Sequence, residues 1–336
     1  MDSAAASCKI RAQNKDALVS FAPLTTAPQT ARLIVHAAES WYDDVAGGRF
    51  DFFTKLGARA EVEGYATALV RAGTPLSNDL LQDRHHLHLI IGPRSPQGPR
   101  IWHVHPAYLR GFWYLDPLGV NMRSSLVHQT FAPERIDAKT ARYFFDGVVG
   151  WNLRKNVSKF PQNDRNDLPP AYAVIFAQDL EHFANPVHYI STEKILRIVA
   201  RRAEAARVYV KPHPKQGSNM AKTIATQVAR FGNLELTSAS IHDLSAASAR
   251  VVTQNSAAGF EALMQRKSVI TCAECDYHHA THVARTPQDL KAALDAPAVT
   301  VDFPRYLYWV LVEAMLETSK PEFADRAWAR MMPQSQ

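Results

Sequence analysis

Residues 171–177 read Ala-Tyr-Ala-Val-Ile-Phe-Ala, an unbroken apolar run of strand length. A strand with one wet face alternates apolar and polar residues, whereas a continuous run marks a strand covered on both faces, as in a parallel sheet. The sequence after it keeps to that reading. Residues 192–204 have helical spacing, with Ser191 or Thr192 as the cap, and 207–211 (Arg-Val-Tyr-Val-Lys) form a strand stopped by Pro212. A helix over 221–231, a short strand at 233–236, a helix over 241–248 and a strand at 249–253 follow. A helix over 258–265 and a strand at 268–271 complete the pattern. Strands alternating with helices through short connections imply a parallel sheet with helices on both faces, a Rossmann-like domain. Ligands of such a domain sit beyond the carboxyl ends of its strands.

Working outward, residues 155–170 (KNVSKFPQNDRNDLPP) combine Pro, Asn and Asp with little apolar periodicity and read as a linker. Before it, 31–46 and 52–71 have helix-like apolar spacing, while 86–92 and 100–104 look like strands. The expected division is an N-terminal domain over 1–160, a ligand-binding domain over 161–303 and a C-terminal helical segment over 304–336. The length of 336 residues agrees with about two domains. With 46% apolar and 21% charged residues the composition is that of a globular chain. The formal charge of +6 favours anionic ligands but is too diffuse to argue for nucleic acid. No apolar run approaches the ~18–20 residues of a membrane span, and the first residues lack the apolar core of a signal peptide. Cys8, Cys272 and Cys275 cannot form a disulfide framework, so a reducing compartment is expected.

Polar motifs stand where the strands of the second half end. Lys211-Pro212-His213-Pro214 follows a strand; the prolines fix the backbone, Lys supplies a point charge and His can donate to a phosphate oxygen. A rigid surface turn explains the same residues. Thr253-Gln254-Asn255-Ser256-Ala257-Ala258-Gly259-Phe260-Glu261 runs from strand into helix. Its small residues permit close backbone approach, its helix start favours a phosphate, and Glu261 is placed to reach a ribose. An ordinary capped core helix is the plainer reading. Gln178-Asp179-Leu180-Glu181-His182 puts two carboxylates and an imidazole at another strand end, suited to acid–base or nucleophilic work or simply to capping. Residues 194–230 hold nine Lys or Arg against one acid, Glu204, an excess that a solvated helix face or an anionic ligand explains. No basic–aromatic interleaving or helix-turn-helix pattern supports a nucleic-acid partner. Cys272, Cys275, His278, His279 and His282 invite a zinc reading. There is no second cysteine pair, however, and the segment follows a strand of a sheet that needs no metal, so no metal site is assigned. His85, His86 and His88 alternate in part along an expected strand, where exposed positions account for them.

Taken together, these residues resemble bacterial capsule polysaccharide biosynthesis proteins of the KpsS/KpsC type. The resemblance runs from about residue 105 onward. It rests on Tyr108-Leu109-Arg110, Tyr114-Leu115-Asp116, Gly119-Val120-Asn121 with Ser124, the strand ending at Gln178, Lys211–Pro214, Asn255–Leu263, and residues 304–309 (PRYLYW). It implies an α/β fold of two Rossmann-like domains facing across a cleft, GT-B-like, with a C-terminal helix crossing back over the domain seam. The implied activity is transfer of a sugar, Kdo from CMP-Kdo, to a lipid-linked or growing glycan, with neither cofactor nor metal. Other implied partners are capsule biosynthesis or export proteins, in the cytoplasm or peripherally at the inner face of its membrane. On this resemblance Lys211, His213, Asn255, Ser256, Gly259 and Glu261 hold the nucleotide, and Arg110, Asn121, Gln178, Tyr277 and His278 hold substrate. His182 stands where the family carries Asp, leaving Asp179 and Glu181 as the nearest carboxylates. His105 stands where the family carries an acid, and His105 or Asp116 is the acid–base candidate. Two readings stay open beside it: a nucleotide-binding assembly subunit that has lost the chemistry, and a GT-B enzyme using a UDP- or GDP-sugar. Residues 306–316 are expected as a terminal helix, with an interfacial membrane anchor as the alternative.

Overall fold

A computed structural model describes residues 21–183 and 185–332. By their contacts these residues divide into two units. Unit 1 comprises 21–105, 113–120 and 316–332; unit 2 comprises 106–112 and 121–315. The expected division at 160 and 303 differs from this one. Residues 121–160 and the helix Phe303–Tyr308 pack with unit 2, and only the chain from Leu316 returns to unit 1.

Unit 1 is built on β1 (Arg32–Ala37), β2 (Ala66–Arg71), β3 (Leu87–Ile91), β4 (Ile101–Pro106) and β5 (Phe112–Asp116). Their order is β5-β4-β3-β1-β2, and β1 is parallel to both β2 and β3. The helix expected over 31–46 is β1 followed by the helix Glu39–Ala46, and that over 52–71 is the helix Asp51–Val62 followed by β2. The misreading has a physical cause. Leu33, Val35 and Ala37 enter one apolar cluster, while on the other face Ile34 enters a second and His36 is buried beside it, so neither face of β1 is wet and no apolar–polar alternation shows.

Unit 2 is built on β6 (Ala171–Ala177), β7 (Val208–Pro212), β8 (Leu234–Leu236), β9 (Ser248–Thr253), β10 (Ser268–Thr271) and β11 (His282–Val283). The order is β11-β10-β9-β6-β7-β8 with every neighbouring pair parallel. The apolar run at 171–177 is the central strand the sequence implies, and Ala173, Val174, Ile175 and Phe176 are buried. Helix caps are the expected kind: Ser191 Oγ accepts from the Lys194 N–H, and Ser256 Oγ from the Ala258 N–H.

Residues 306–316 do not form one regular helix. The helix Phe303–Tyr308 passes into a π-helical turn, Trp309–Ala314, and Tyr306, Leu307, Trp309, Val310 and Leu311 are buried. Most of the apolar side chains of this stretch are thus inside the fold, with Tyr308 and Val312 half-buried, which favours the packed segment over an interfacial anchor. The chain then adds β12 (Leu316–Glu317) beside β5 and ends in the helix Phe323–Met331. This helix crosses back onto the unit 1 helix Asp51–Val62, where Phe52 and Phe323 meet edge to face at 5.3 Å.

Candidate functional site

The carboxyl ends of β6, β7 and β9 share the rim of a cavity of about 320 Å³ that lies wholly within unit 2. Gln178, Lys211, His213, Asn255, Ser256, Glu261 and Asn121 line it. The aromatic wall comes from Tyr108, Phe160, Phe176 and Phe183. Gln178 stitches two strand ends together: its Oε1 accepts from the Asn255 N–H (2.9 Å) and from Thr253 Oγ1 (3.2 Å). Asn255 Nδ2 in turn donates to Glu274 O at 2.8 Å, tying the loop to the end of β10.

Glu261 is a strongly perturbed carboxyl of the cavity. It is 1% exposed, and burial lifts its carboxyl from 4.5 to about 8, opposed by the Ser158 hydrogen bond and by Lys159 and Lys211. Ser158 Oγ donates to its Oε1 at 2.8 Å, while Oε2 has no hydrogen-bond partner among the described residues. A buried unsatisfied oxygen is costly unless something completes it. His213 Nδ1 accepts the Lys215 N–H at 3.1 Å, so the neutral ring carries its proton on Nε2. Desolvation, then Lys215 and Lys159, hold that imidazole below the usual histidine range.

Three of the nucleotide-binding expectations need correction in detail. Lys211 faces the cavity, but its ammonium donates to Ala239 O, to Ser238 O (3.3 Å) and to Gln162 Oε1 (3.4 Å). It braces the loop after β8 as much as it supplies charge. Gly259 does not line the cavity. A Cβ there would stand 2.8 Å from Tyr277 Oη and 2.9 Å from Thr253 Cγ2, so glycine is needed for packing. The helix Ala257–Leu263 has only seven residues, and its Ala258 and Gly259 N–H groups are taken by Ser256 Oγ and Ser256 O. The free helix start that the sequence suggested is largely spent.

The proposed acids fare worse. Asp179 binds the Gly217 N–H (3.1 Å) and His182 Nδ1 (3.3 Å), and Glu181 caps the Thr192 N–H. Asp179, Glu181 and His182 all lie outside the cavity lining. Asp116 and His105 belong to unit 1. There Asp116 accepts the Leu118 (2.8 Å) and Gly119 (3.1 Å) N–H groups of a turn, and His105 packs edge-on against Trp41. Of the substrate-binding candidates, Arg110 is exposed and off the cavity, the buried Tyr277 donates to Ser256 O (2.8 Å), and His278 Nδ1 bonds Cys275 O (2.9 Å). Neither Tyr277 nor His278 lines the cavity. Among the described residues no group of three or more His, Cys, Asp or Glu is placed to hold a metal. Burial raises both the Cys272 and Cys275 thiols. Cys8 lies outside the described residues.

Sequence reading missed four lining residues, Ser158, Lys159, Phe160 and Gln162, because 155–170 reads as a linker. The segment is instead a strap of unit 2: His242 Nε2 bonds Val157 O (2.9 Å) and Gln162 Oε1 accepts the Ile241 N–H (3.0 Å). The one signal available was Lys-Phe-Pro at 159–161, a cation and an aromatic fixed by proline. The Tyr108 and Ser124 positions of the family motif have a clear role. Tyr108 Oη and Ser124 Oγ (2.8 Å) both donate to the buried carboxylate of Asp276, and Tyr108 stacks on Phe260 at 4.7 Å.

Residues 182–281 match the family model described as capsule polysaccharide biosynthesis protein, 100 residues of the chain. No curated protein matches the sequence. Among solved structures, the Thermosulfurimonas dismutans KpsC beta Kdo 2,7 transferase aligns with a TM-score of 0.57 at 13% identity, covering 85% of this chain and 92% of that one. The beta Kdo 2,4 transferase of the same KpsC gives 0.45 at 15% identity, covering 78% and 89%. The first likeness shows the fold, and the resemblance read from the motifs is borne out over the matched region. Among the described residues no helix is long and apolar enough to cross a membrane.

Proposed function

We propose that the chain, whose residues 182–281 match the capsule polysaccharide biosynthesis family, is a glycosyltransferase of the KpsC type whose unit 2 cavity binds a sugar nucleotide. The proposed donor is CMP-Kdo and the acceptor a lipid-linked or growing glycan. One observation carries this reading: motif residues from the ends of β6, β7 and β9 converge with Lys159 on a single cavity. Its chemistry suits a nucleoside phosphate. The aromatic wall gives a base and ribose an apolar surface, and Glu261 Oε2, which carries the carboxyl proton near neutral pH and has no partner among the described residues, can donate it to a ribose hydroxyl oxygen. Lys159, Lys211 and the Nε2–H of His213 form a cationic side for the phosphate. Charge builds there as the nucleotide leaves, and donors already in place stabilise it.

The test is a thermal-shift series with CMP, UDP and GDP on the wild type, His213→Ala and Ser158→Ala. A ligand at 100 times its Kd adds about 2.7 kcal/mol. CMP is expected to raise the melting temperature most, with the shift reduced in both variants. A larger shift with UDP or GDP replaces the donor, and no shift with any of the three rejects the site.

A second reading is favoured by the positions of Asp179, Glu181 and His182 outside the cavity lining. It makes the chain a nucleotide-binding assembly subunit without transfer chemistry. CMP binding without turnover of CMP-Kdo over a broad acceptor panel supports that reading; turnover excludes it.

A further inference from the structure

Unit 1 contains a chain of polar side chains that the nucleotide site does not use. The expectation that His86 and His88 are exposed fails: they are 2% and 1% exposed, and His36 is 1%. In the β1–β3 register Ile34 pairs with His88 and His36 with Ile90, so the two imidazoles are diagonal neighbours on one face. His36 Nδ1 lies 2.9 Å from Ser77 Oγ, His36 Nε2 lies 3.0 Å from His88 Nδ1, and His88 Nε2 lies 3.0 Å from Asp83 O.

The end of this chain fixes every proton in it. A backbone carbonyl only accepts, so His88 carries its proton on Nε2 and presents a bare Nδ1. His36 must then donate from Nε2, leaving its Nδ1 to accept the Ser77 hydroxyl proton. With both rings neutral, Ser77 turns its proton inward and its lone pairs outward, one of them toward the Gly73 N–H at 3.4 Å. Burial holds both imidazoles below the usual range, His36 down to about 3, so neutral rings are the resting state. One added proton reverses the whole chain. His88 then donates from both nitrogens, His36 donates from Nδ1 to Ser77, and the Ser77 hydroxyl points its proton out.

Each end of the chain opens on a cavity. Ser77 and His36 line one of about 200 Å³ with Gly73, Asn78 and Arg94, and His88 lines another of about 430 Å³. The guanidinium of Arg94 lies flat on Gly73, within 2.5 Å of where a Cβ would be, and has no ion pair among the described residues. The smaller cavity takes residues from β1, from the turn after β2 and from β3 and the segment after it. This is the β1/β3 switch point at which sheets of the order 2-1-3 bind ligands.

We propose that the cavity beneath Gly73 and Arg94 binds a small oxyanion, a carboxylate or phosphoryl group, and that the Ser77–His36–His88 chain takes up one proton as it does so. Arg94 supplies charge, and the reversed chain supplies the Ser77 O–H as donor. The proton rests on His88, where Asp83 accepts it; the Asp83 carboxylate also lies 3.4 Å from His86 Nε2. Burial first, then His86 and Arg100, oppose the added charge on His88, so loading needs the anion.

Sulfate is the probe, because it does not titrate between pH 5.5 and 8, with acetate as the carboxylate arm. Calorimetry in buffers of differing ionisation enthalpy counts protons. Sulfate or acetate is expected to bind with uptake of about one proton, tightening about tenfold per pH unit as pH falls through the coupled range. Whichever anion binds more tightly identifies the group. The proton-coupled heat is expected to vanish in Arg94→Gln, whose exposed side chain leaves the fold alone, and in Ser77→Ala. No binding, binding without proton uptake, or proton-coupled binding that survives Arg94→Gln overturns the proposal.

Discussion

At Glu261 a single carboxyl joins the stability of unit 2 to its chemistry. Its proton is held to about 8 in the folded chain but released near 4.5 when unfolded. The folded state therefore binds the extra proton between those values, and that contribution to stability is full below about pH 4.5 and lost as pH rises through 8. The whole window is worth about 5 kcal/mol. Glu261→Gln removes the dependence. Urea unfolding should find the variant more stable than wild type at pH 8.5, by roughly 2–4 kcal/mol after allowing for the lysines nearby, with the gap closing by pH 5. Equal pH profiles for the two proteins would contradict the burial of this carboxyl. The residue itself was legible in the sequence as the acid in the first turns of a helix that starts at a strand end. Its missing partner was not, because Ser158 and Lys159 lie about a hundred positions away in a segment with no periodicity.

At the scale of elements, the helix that carries Glu261 is set by contact rather than by propensity. Gly259 sits where Tyr277 Oη and Thr253 Cγ2 leave no room for a methyl group. Gly259→Ala should cost about 1–3 kcal/mol by overpacking. Because Tyr277 Oη is one of the two obstacles, adding Tyr277→Phe should recover part of that loss, a coupling that a double-mutant cycle reads directly. Additive costs would mean that the clash lies elsewhere. Elements with strong periodic or all-apolar signals, such as β6, β7 and β9, were readable because each is a short apolar run stopped by Pro, Gln or Asn. β1 was not, since its residues serve two clusters and blend into the helix that follows. The strap at 155–162 was not readable either. It has no regular structure, and its side chains gain meaning only from Glu261, Ile241 and His242, to which the fold brings them.

The molecule as a whole has two cores in one chain, and the C-terminus decides which is complete. Unit 2 closes its own cluster around β6 from residues between 172 and 294. Unit 1 instead draws Leu316, Phe323, Ala327, Trp328 and Met331 into the cluster formed by β1, β3 and the helix Asp51–Val62. A segment expected at the seam thus fills a core whose other members lie more than two hundred residues earlier. Sequence periodicity shows that the last helix is amphipathic but not which sheet it covers. Trp328 is 7% exposed, lies edge-on to Tyr65 at 5.4 Å and carries the Arg59 guanidinium over its ring. Trp328→Ala should therefore destabilise unit 1 by about 3–5 kcal/mol through lost packing and the cavity left behind. Nucleotide binding reads unit 2 independently. In calorimetric melting the variant's unit 1 transition should fall while the increment that CMP adds to unit 2 is retained. If Trp328→Ala instead abolished the CMP increment while leaving secondary structure in place, the two cores would not be separable as their contacts divide them, and the nucleotide cavity would depend on packing at the far end of the chain.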